Sequence, residues 1–200
     1  TSDAQKITVE EMDYYLALNE TQKRINKGDR YIAEAAIRFE NLFIRVDIFE
    51  IDLSKKEICI YEVKSVSYKS DEQFIKESKK GNNKGNLVIN NDWLPYLMDV
   101  AFQKYVVIKA FPDFKVKAYL MMLNSNAVAT VDGLNQILRV KKDTYGYKVY
   151  YKKNLRREEL GDEILIKDPI DDIVEFIWNS PVQSEAFPNY SFENYINALS

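Results

Sequence analysis

Between residues 31 and 65 the chain runs through three apolar stretches, 31–39, 42–51 and 57–65, each rich in Ile, Val, Phe and Tyr. Such runs predict strands. Asn41 marks the first turn between them and residues 52–56 the second, and spacing this tight predicts an antiparallel meander. Before it, Thr8 followed by Glu11 has the form of a capping box, and Met12, Tyr15 and Leu16 fall at helical spacing. A helix is therefore expected from Thr8 to about Lys27, stopped by Gly28 and Asp29. Residues 93–110 form a largely apolar helix with Pro95 in its first turn, ended by Phe111 and Pro112. Residues 114–123 predict another buried strand, 137–153 a hairpin turning near 144–146, and 168–179 a helix opened by aspartates.

One stretch breaks the pattern. Residues 67–91 are dense in Lys, Ser, Asn and Gly, and 79–85 contain no apolar residue. The reading is a mobile insertion over 66–92, with a short helix near 72–79. Strands alternating with helices imply an α/β layered domain around a mixed sheet. Residues 127–200 are then an accessory hairpin and a C-terminal helix on a single domain, and no internal repeat is present.

At 200 residues and 46% hydrophobic, the chain can bury one core. No run reaches the roughly 18 apolar residues a membrane span needs, and no signal peptide opens the chain, so the expected compartment is cytoplasmic by default. The first residue is Thr1, which suggests a fragment of a longer protein with further domains. The single cysteine, Cys59, sits between Ile58 and Ile60 as a small hydrophobe would. That excludes a disulfide framework and an iron–sulfur cluster held by four cysteines. Histidine is absent. His-based triads, His-ligated zinc and His general bases are excluded with it. Any metal must be held by carboxylates, carbonyls and water, which selects Mg²⁺ or Mn²⁺.

Carboxylates do cluster. Glu62 and Lys64 lie two apart on the third strand and share a face, with Tyr61 and Val63 on the other. Folding the second strand back around Ser54 or Lys55 sets Asp47 beside Glu62 or Val63, and Glu34 on the first strand can reach the same end. Carboxylates this close repel unless a cation lies between them. A divalent ion would relieve the repulsion and activate water for attack on a phosphate. Lys64 could orient that water or neutralise the phosphate. On the helix, Asp99 and Gln103 are four apart within an apolar surround and require polar partners. The competing reading of Glu62 and Lys64 is a cross-strand ion pair on a solvated face.

Arg45-Val-Asp followed by Glu62-Val-Lys-Ser resembles the catalytic hairpin of RecB-like nucleases in the PD-(D/E)xK superfamily. Thr21-Gln-Lys, Ala33-Glu-Ala-Ala, Asp99-Val-Ala-Phe-Gln and the stretch 118–124 extend that resemblance, to an uncharacterised bacterial family with a RecB-like nuclease domain, over about residues 20–125. The resemblance implies a restriction-endonuclease-like core, with a central mixed sheet flanked by helices. It implies that Asp47 and Glu62 bind metal with the Val63 carbonyl, that Lys64 is catalytic, that Glu34 is the upstream acid and that Gln103 is the helix glutamine. The family often places a tyrosine four residues after that glutamine, where this chain has Val107. The cluster-binding cysteines of CRISPR-associated relatives are missing here.

The run 141–157 carries seven basic residues against one acidic, with tyrosines interleaved. Lys141, Lys142, Tyr147, Lys148, Lys152, Lys153, Arg156 and Arg157 are the candidate contacts to nucleic acid, phosphates to cations and bases to rings. A solvated hairpin is the alternative. The expected function is a divalent-metal-dependent nuclease acting on DNA. The alternative is a nuclease-fold module that binds nucleic acid or a protein partner without cutting.

Overall fold

In the computed structural model, strands β2 (Tyr31–Phe39), β3 (Leu42–Asp52) and β4 (Glu57–Tyr68) form the antiparallel meander. The turn between β3 and β4 is set by Asp52, whose side chain accepts the Ser54 and Lys55 amides at 3.1 Å each. The structure describes residues 5–6, 13–69, 73–79, 85–143, 146–151, 154–182 and 190–199.

Helix α1 (Tyr14–Lys27) precedes the meander, and helix α2 (Leu94–Ala110) follows it as the crossover to β7 (Lys115–Asn124), which lies parallel to β4. A two-residue strand β1 (Gln5–Lys6) pairs with β2, and β10 (Leu165–Pro169) pairs antiparallel with β7. The result is a mixed six-stranded sheet in the order β1-β2-β3-β4-β7-β10, flanked by helices. Its core is what the apolar runs predict: Ile32, Phe49, Ile58, Ile60 and Leu120 of the sheet and Leu97 and Val100 of α2 are fully buried. Each such side chain contributes about 1.5–3 kcal/mol. Thr21 ties α1 to the sheet, its hydroxyl donating to the Ala17 carbonyl and accepting the Ala36 amide.

Four features depart from the pattern reading. The Thr8 capping box lies outside the described residues; the described helix begins at Tyr14, where Asp13 caps the Leu16 amide at 2.9 Å, and ends at left-handed Gly28. The expected short helix at 72–79 is instead a hairpin, β5 (Ile75–Glu77) against β6 (Leu87–Ile89). It is held by contacts remote in sequence: Phe74 is buried against Tyr68 and Trp93, with ring centroids 5.6 and 5.3 Å away. Asp168 belongs to β10, and helix α4 (Asp171–Asn179) starts only after it. Helix α5 (Phe192–Leu199), which packs on α4, was not expected.

The hairpin predicted at 137–153 is present. Short helix α3 (Leu134–Ile137) leads into β8 (Leu138–Asp143), which pairs with β9 (Gly146–Tyr151) as a separate two-stranded sheet. Among the described residues no helix is long and apolar enough to cross a membrane.

Candidate metal centre

The candidate site lies where β3 and β4 part. Their ladder runs from Asp52↔Glu57 to Ile48↔Tyr61, and one step further would set Asp47 against Glu62. There the carboxylate of Asp47 accepts the Val63 amide at 2.8 Å. Strand β4 continues beside β7 as far as Val63, where its register shifts. The two strands thus part at the residues that carry the charge.

Glu62 is 6% exposed, and both of its oxygens are engaged. Oε1 accepts from Lys64 Nζ at 2.5 Å and Oε2 from Gln103 Nε2 at 2.6 Å. Lys64 Nζ also reaches Asp99 Oδ2 at 3.0 Å and stands 5.5 Å from the centre of the Tyr96 ring. Asp99 and Gln103 occupy one face of α2 four residues apart, so the helix brings buried Gln103 and half-exposed Asp99 to the charged residues of β4. The sequence placed these four residues together correctly. Tyr96 was missed, although it lies three residues before Asp99 and so belongs to the same face.

Burial pushes the Glu62 carboxyl above its ordinary range. The hydrogen bonds from Lys64 and Gln103 offset part of that, and the charges of Asp47 and Asp99 add to it. Burial works against the Lys64 ammonium, but its bonds to Glu62 and Asp99 win and its pKa rises. Negative charge is concentrated at Glu62: Asp47 and Asp99 add to it, and Lys64 is the cation bonded to it.

Glu34 sits across from Asp47, between the pairs Ala33↔Ile48 and Ala35↔Val46, but drops out of the ladder because its backbone is left-handed, with φ 58°. Among the described residues no three acidic, cysteine or histidine side chains form a group able to hold an ion. The three-acid row expected from register thus narrows to Asp47 and Glu62. Among the described residues two buried side-chain polar atoms lack a partner: Gln103 Oε1, beside Glu62, and Arg45 Nη2, two residues along β3 from Asp47.

The donor set fits a hard divalent cation. Two carboxylates on neighbouring strands, with the Val63 carbonyl between Glu62 and Lys64, suit Mg²⁺, which keeps most of its waters. The orphaned Gln103 acceptor could take a hydrogen bond from one of those waters. Cys59 does not belong to this set. It is buried on the opposite face of β4, and burial with nearby Glu50 and Glu57 pushes its thiol up to about 11.

The basic hairpin only partly answers its expectation. Lys141 and Lys142 are exposed, and Lys141 Nζ lies 5.6 Å from the centre of the half-exposed Tyr150 ring. Arg156 instead pairs with Glu159 at 3.6 Å, and Arg157 donates to the Gly161 carbonyl at 2.5 Å; both serve the local 3₁₀ turn. Lys152 and Lys153 lie outside the described residues, as do the side chains of Tyr147 and Lys148. Val107, where the resembled family often has a tyrosine, is fully buried, and the Tyr105 hydroxyl donates to Glu193 at 3.1 Å.

No family model, no curated protein and no solved structure matches this chain.

Proposed function

We propose that the chain is a divalent-metal-dependent nuclease of the PD-(D/E)xK kind that hydrolyses DNA phosphodiester bonds. The observation that carries this reading is the convergence of Asp47, Glu62 and Lys64 where β3 and β4 part, closed by Gln103 and Asp99 of α2. Asp47, Glu62 and the Val63 carbonyl would hold the ion, Mg²⁺ or Mn²⁺. When bound, such an ion lowers the pKa of its water and stabilises the charge that develops on a phosphoryl group.

The protein groups have separable tasks. Gln103 fixes the rotamer of Glu62 through its 2.6 Å bond, and the Val63 amide fixes Asp47 at 2.8 Å. Lys64, held between Glu62 and Asp99, keeps a proton and a positive charge at the site where a phosphate oxygen must be neutralised. Exposed Lys141 and Lys142 supply sequence-independent attraction for the strand.

The test is cleavage of labelled single- and double-stranded DNA with Mn²⁺, beside Asp47→Ala and Lys64→Ala. Loss of cleavage in both variants, with folding intact, is expected. An Asp47→Ala protein as active as the parent sinks the proposal. The alternative, a nuclease-fold module that binds without cutting, draws on one observation: both Glu62 oxygens are already taken by Lys64 and Gln103. Calorimetry with Mn²⁺ separates the two, since a folded protein that takes up no ion favours the binding module.

A further inference from the structure

A cavity of about 330 Å³ opens between α2 and α5, lined by Leu42, Met98, Asp99, Phe102, Phe192 and Tyr195 among others. Asp99 is common to this cavity and to the metal centre, because its Oδ2 lies 3.0 Å from Lys64 Nζ. The cavity therefore begins one side chain away from the ammonium that would meet a scissile phosphate. We propose that it receives a nucleobase of the strand whose phosphate sits at Lys64, an inference that rests on the nuclease reading and extends it to how the substrate is held.

Chemistry decides the occupant. The lining has no lysine or arginine, and its one charged group is the Asp99 carboxylate, so a phosphate is repelled from it and drawn to Lys64. A base is the uncharged part of a nucleotide. Its flat faces suit the aromatic lining of Phe102 and Tyr195, with Phe192 2% exposed at the wall, and its N–H edge can donate to Asp99. Stacking on such rings tolerates any base and typically contributes ten-fold or so in affinity. The volume is near the lower end of the roughly 300–1,000 Å³ of small-ligand sites, enough for one nucleoside rather than a stacked run. Met98, Asp99 and Phe102 lie on one stripe of α2 and Tyr96, Asp99 and Gln103 on the next, with Asp99 common to both, so one helix divides the nucleotide between an ammonium and an aromatic slot.

The experiment is calorimetric titration of the full chain in Mg²⁺ with deoxyadenosine 5′-monophosphate and with deoxyribose 5-phosphate, which lacks the base. The expected result is binding of the nucleotide about 10-fold or more tighter than the sugar phosphate. Tyr195→Ala and Phe102→Leu should each shrink that ratio at least several-fold while leaving sugar-phosphate binding unchanged. Phe102→Leu keeps the volume apolar, so it serves if the alanine variant fails to fold. Equal affinity for the two ligands, no binding of either, or a ratio unchanged in both variants overturns the slot. Preference for an apolar probe without phosphate, such as indole, over the nucleotide would also overturn it. The nuclease reading fails separately, through the Asp47→Ala cleavage assay, because base-dependent binding is measured without any turnover.

Discussion

Replacing Lys64 by methionine isolates the electrostatics of the site. The substitution keeps the aliphatic stem and removes the ammonium that bridges Glu62 at 2.5 Å and Asp99 at 3.0 Å. Glu62 then stays buried at 6% exposure with a single amide donor, Gln103, and with Asp47 and Asp99 still repelling it. Removing one partner of a fully buried pair costs about 3–5 kcal/mol, and of an exposed pair about 0–1. Lys64 is 21% and Asp99 43% exposed, so the pair sits between these limits and about 2 kcal/mol is expected at pH 8. The loss must depend on pH in a stated direction. In the parent, Glu62 already has a folded pKa above its ordinary 4.5, so its contribution is fully present below that value and is lost as pH rises through the folded pKa. Losing the Lys64 hydrogen bond raises the folded pKa further, so the variant should lose more stability than the parent between pH 5 and pH 8. Urea unfolding in EDTA at the two pH values measures this, and Glu62→Gln in the Lys64→Met background should abolish the excess loss, leaving what other carboxyls such as half-buried Asp168 contribute. A destabilisation that is equal at both pH values would refute the reasoning, because it would mean that Glu62 does not feel Lys64.

Three further outcomes are expected from other parts of the structure. Glu34 holds φ 58°, so Glu34→Gly should be more stable than Glu34→Ala by about 0.5–1 kcal/mol in denaturant melts, the left-handed cost of alanine less the chain entropy of glycine; the reverse order would show that the turn is not retained. Lys104 is 6% exposed and its Nζ lies 2.6 Å from Asp171, which also accepts the Ala118 amide at 3.0 Å. Asp171→Ala should therefore cost about 3 kcal/mol, largely restored by adding Lys104→Met, and a double-mutant cycle with no coupling would contradict that. Phe74→Ala should cost about 3 kcal/mol, since the ring is buried against Tyr68 and Trp93, and a loss under 1 kcal/mol would mean the hairpin is not anchored there.

What could be read from sequence follows from how far each interaction reaches along the chain. Strands β2, β3 and β4 were legible because their own residues dictate them: β-branched and aromatic runs, a short turn at Glu40-Asn41 and an Asx turn at Asp52. Once the turn is fixed, register follows by counting to within one residue, which is why Asp47 was set beside Glu62 or Val63, and its carboxylate meets the Val63 amide. Helix α2 was legible by its apolar length, and Asp99 and Gln103 by their spacing. The 75–89 hairpin was not, because Tyr68, Phe74 and Trp93 meet only in the fold and the polar residues between them suggested no core. Strand β10 was hidden for a different reason: Leu165, Lys167 and Pro169 are exposed at an edge, and the aspartates that follow look like a helix start. The left-handed turn at Glu34 has no signature in an Ala-Glu-Ala context, so counting alone put a third acid into the site.

The same charges that make the centre costly to fold make it suited to an ion. Glu62 and Asp99 share one ammonium, Lys64, while Asp47 adds its charge to that of Glu62, so with no ion bound Lys64 must serve both of its partners. On the proposed reading, Asp47 and Glu62 would hold a cation whose charge offsets their repulsion, and Lys64 would then be available for a phosphate oxygen. Affinity for the ion and the mobility of the lysine are then two sides of one electrostatic balance. Gln103 and the Val63 amide, each holding one carboxylate in place, keep that exchange from becoming a collapse of the site. Any ion that binds only the folded chain adds stability by mass action, about 2.7 kcal/mol at a hundred times its Kd. That gain should be largest in the pH range where Glu62 is ionised, because there the repulsion the ion relieves is greatest.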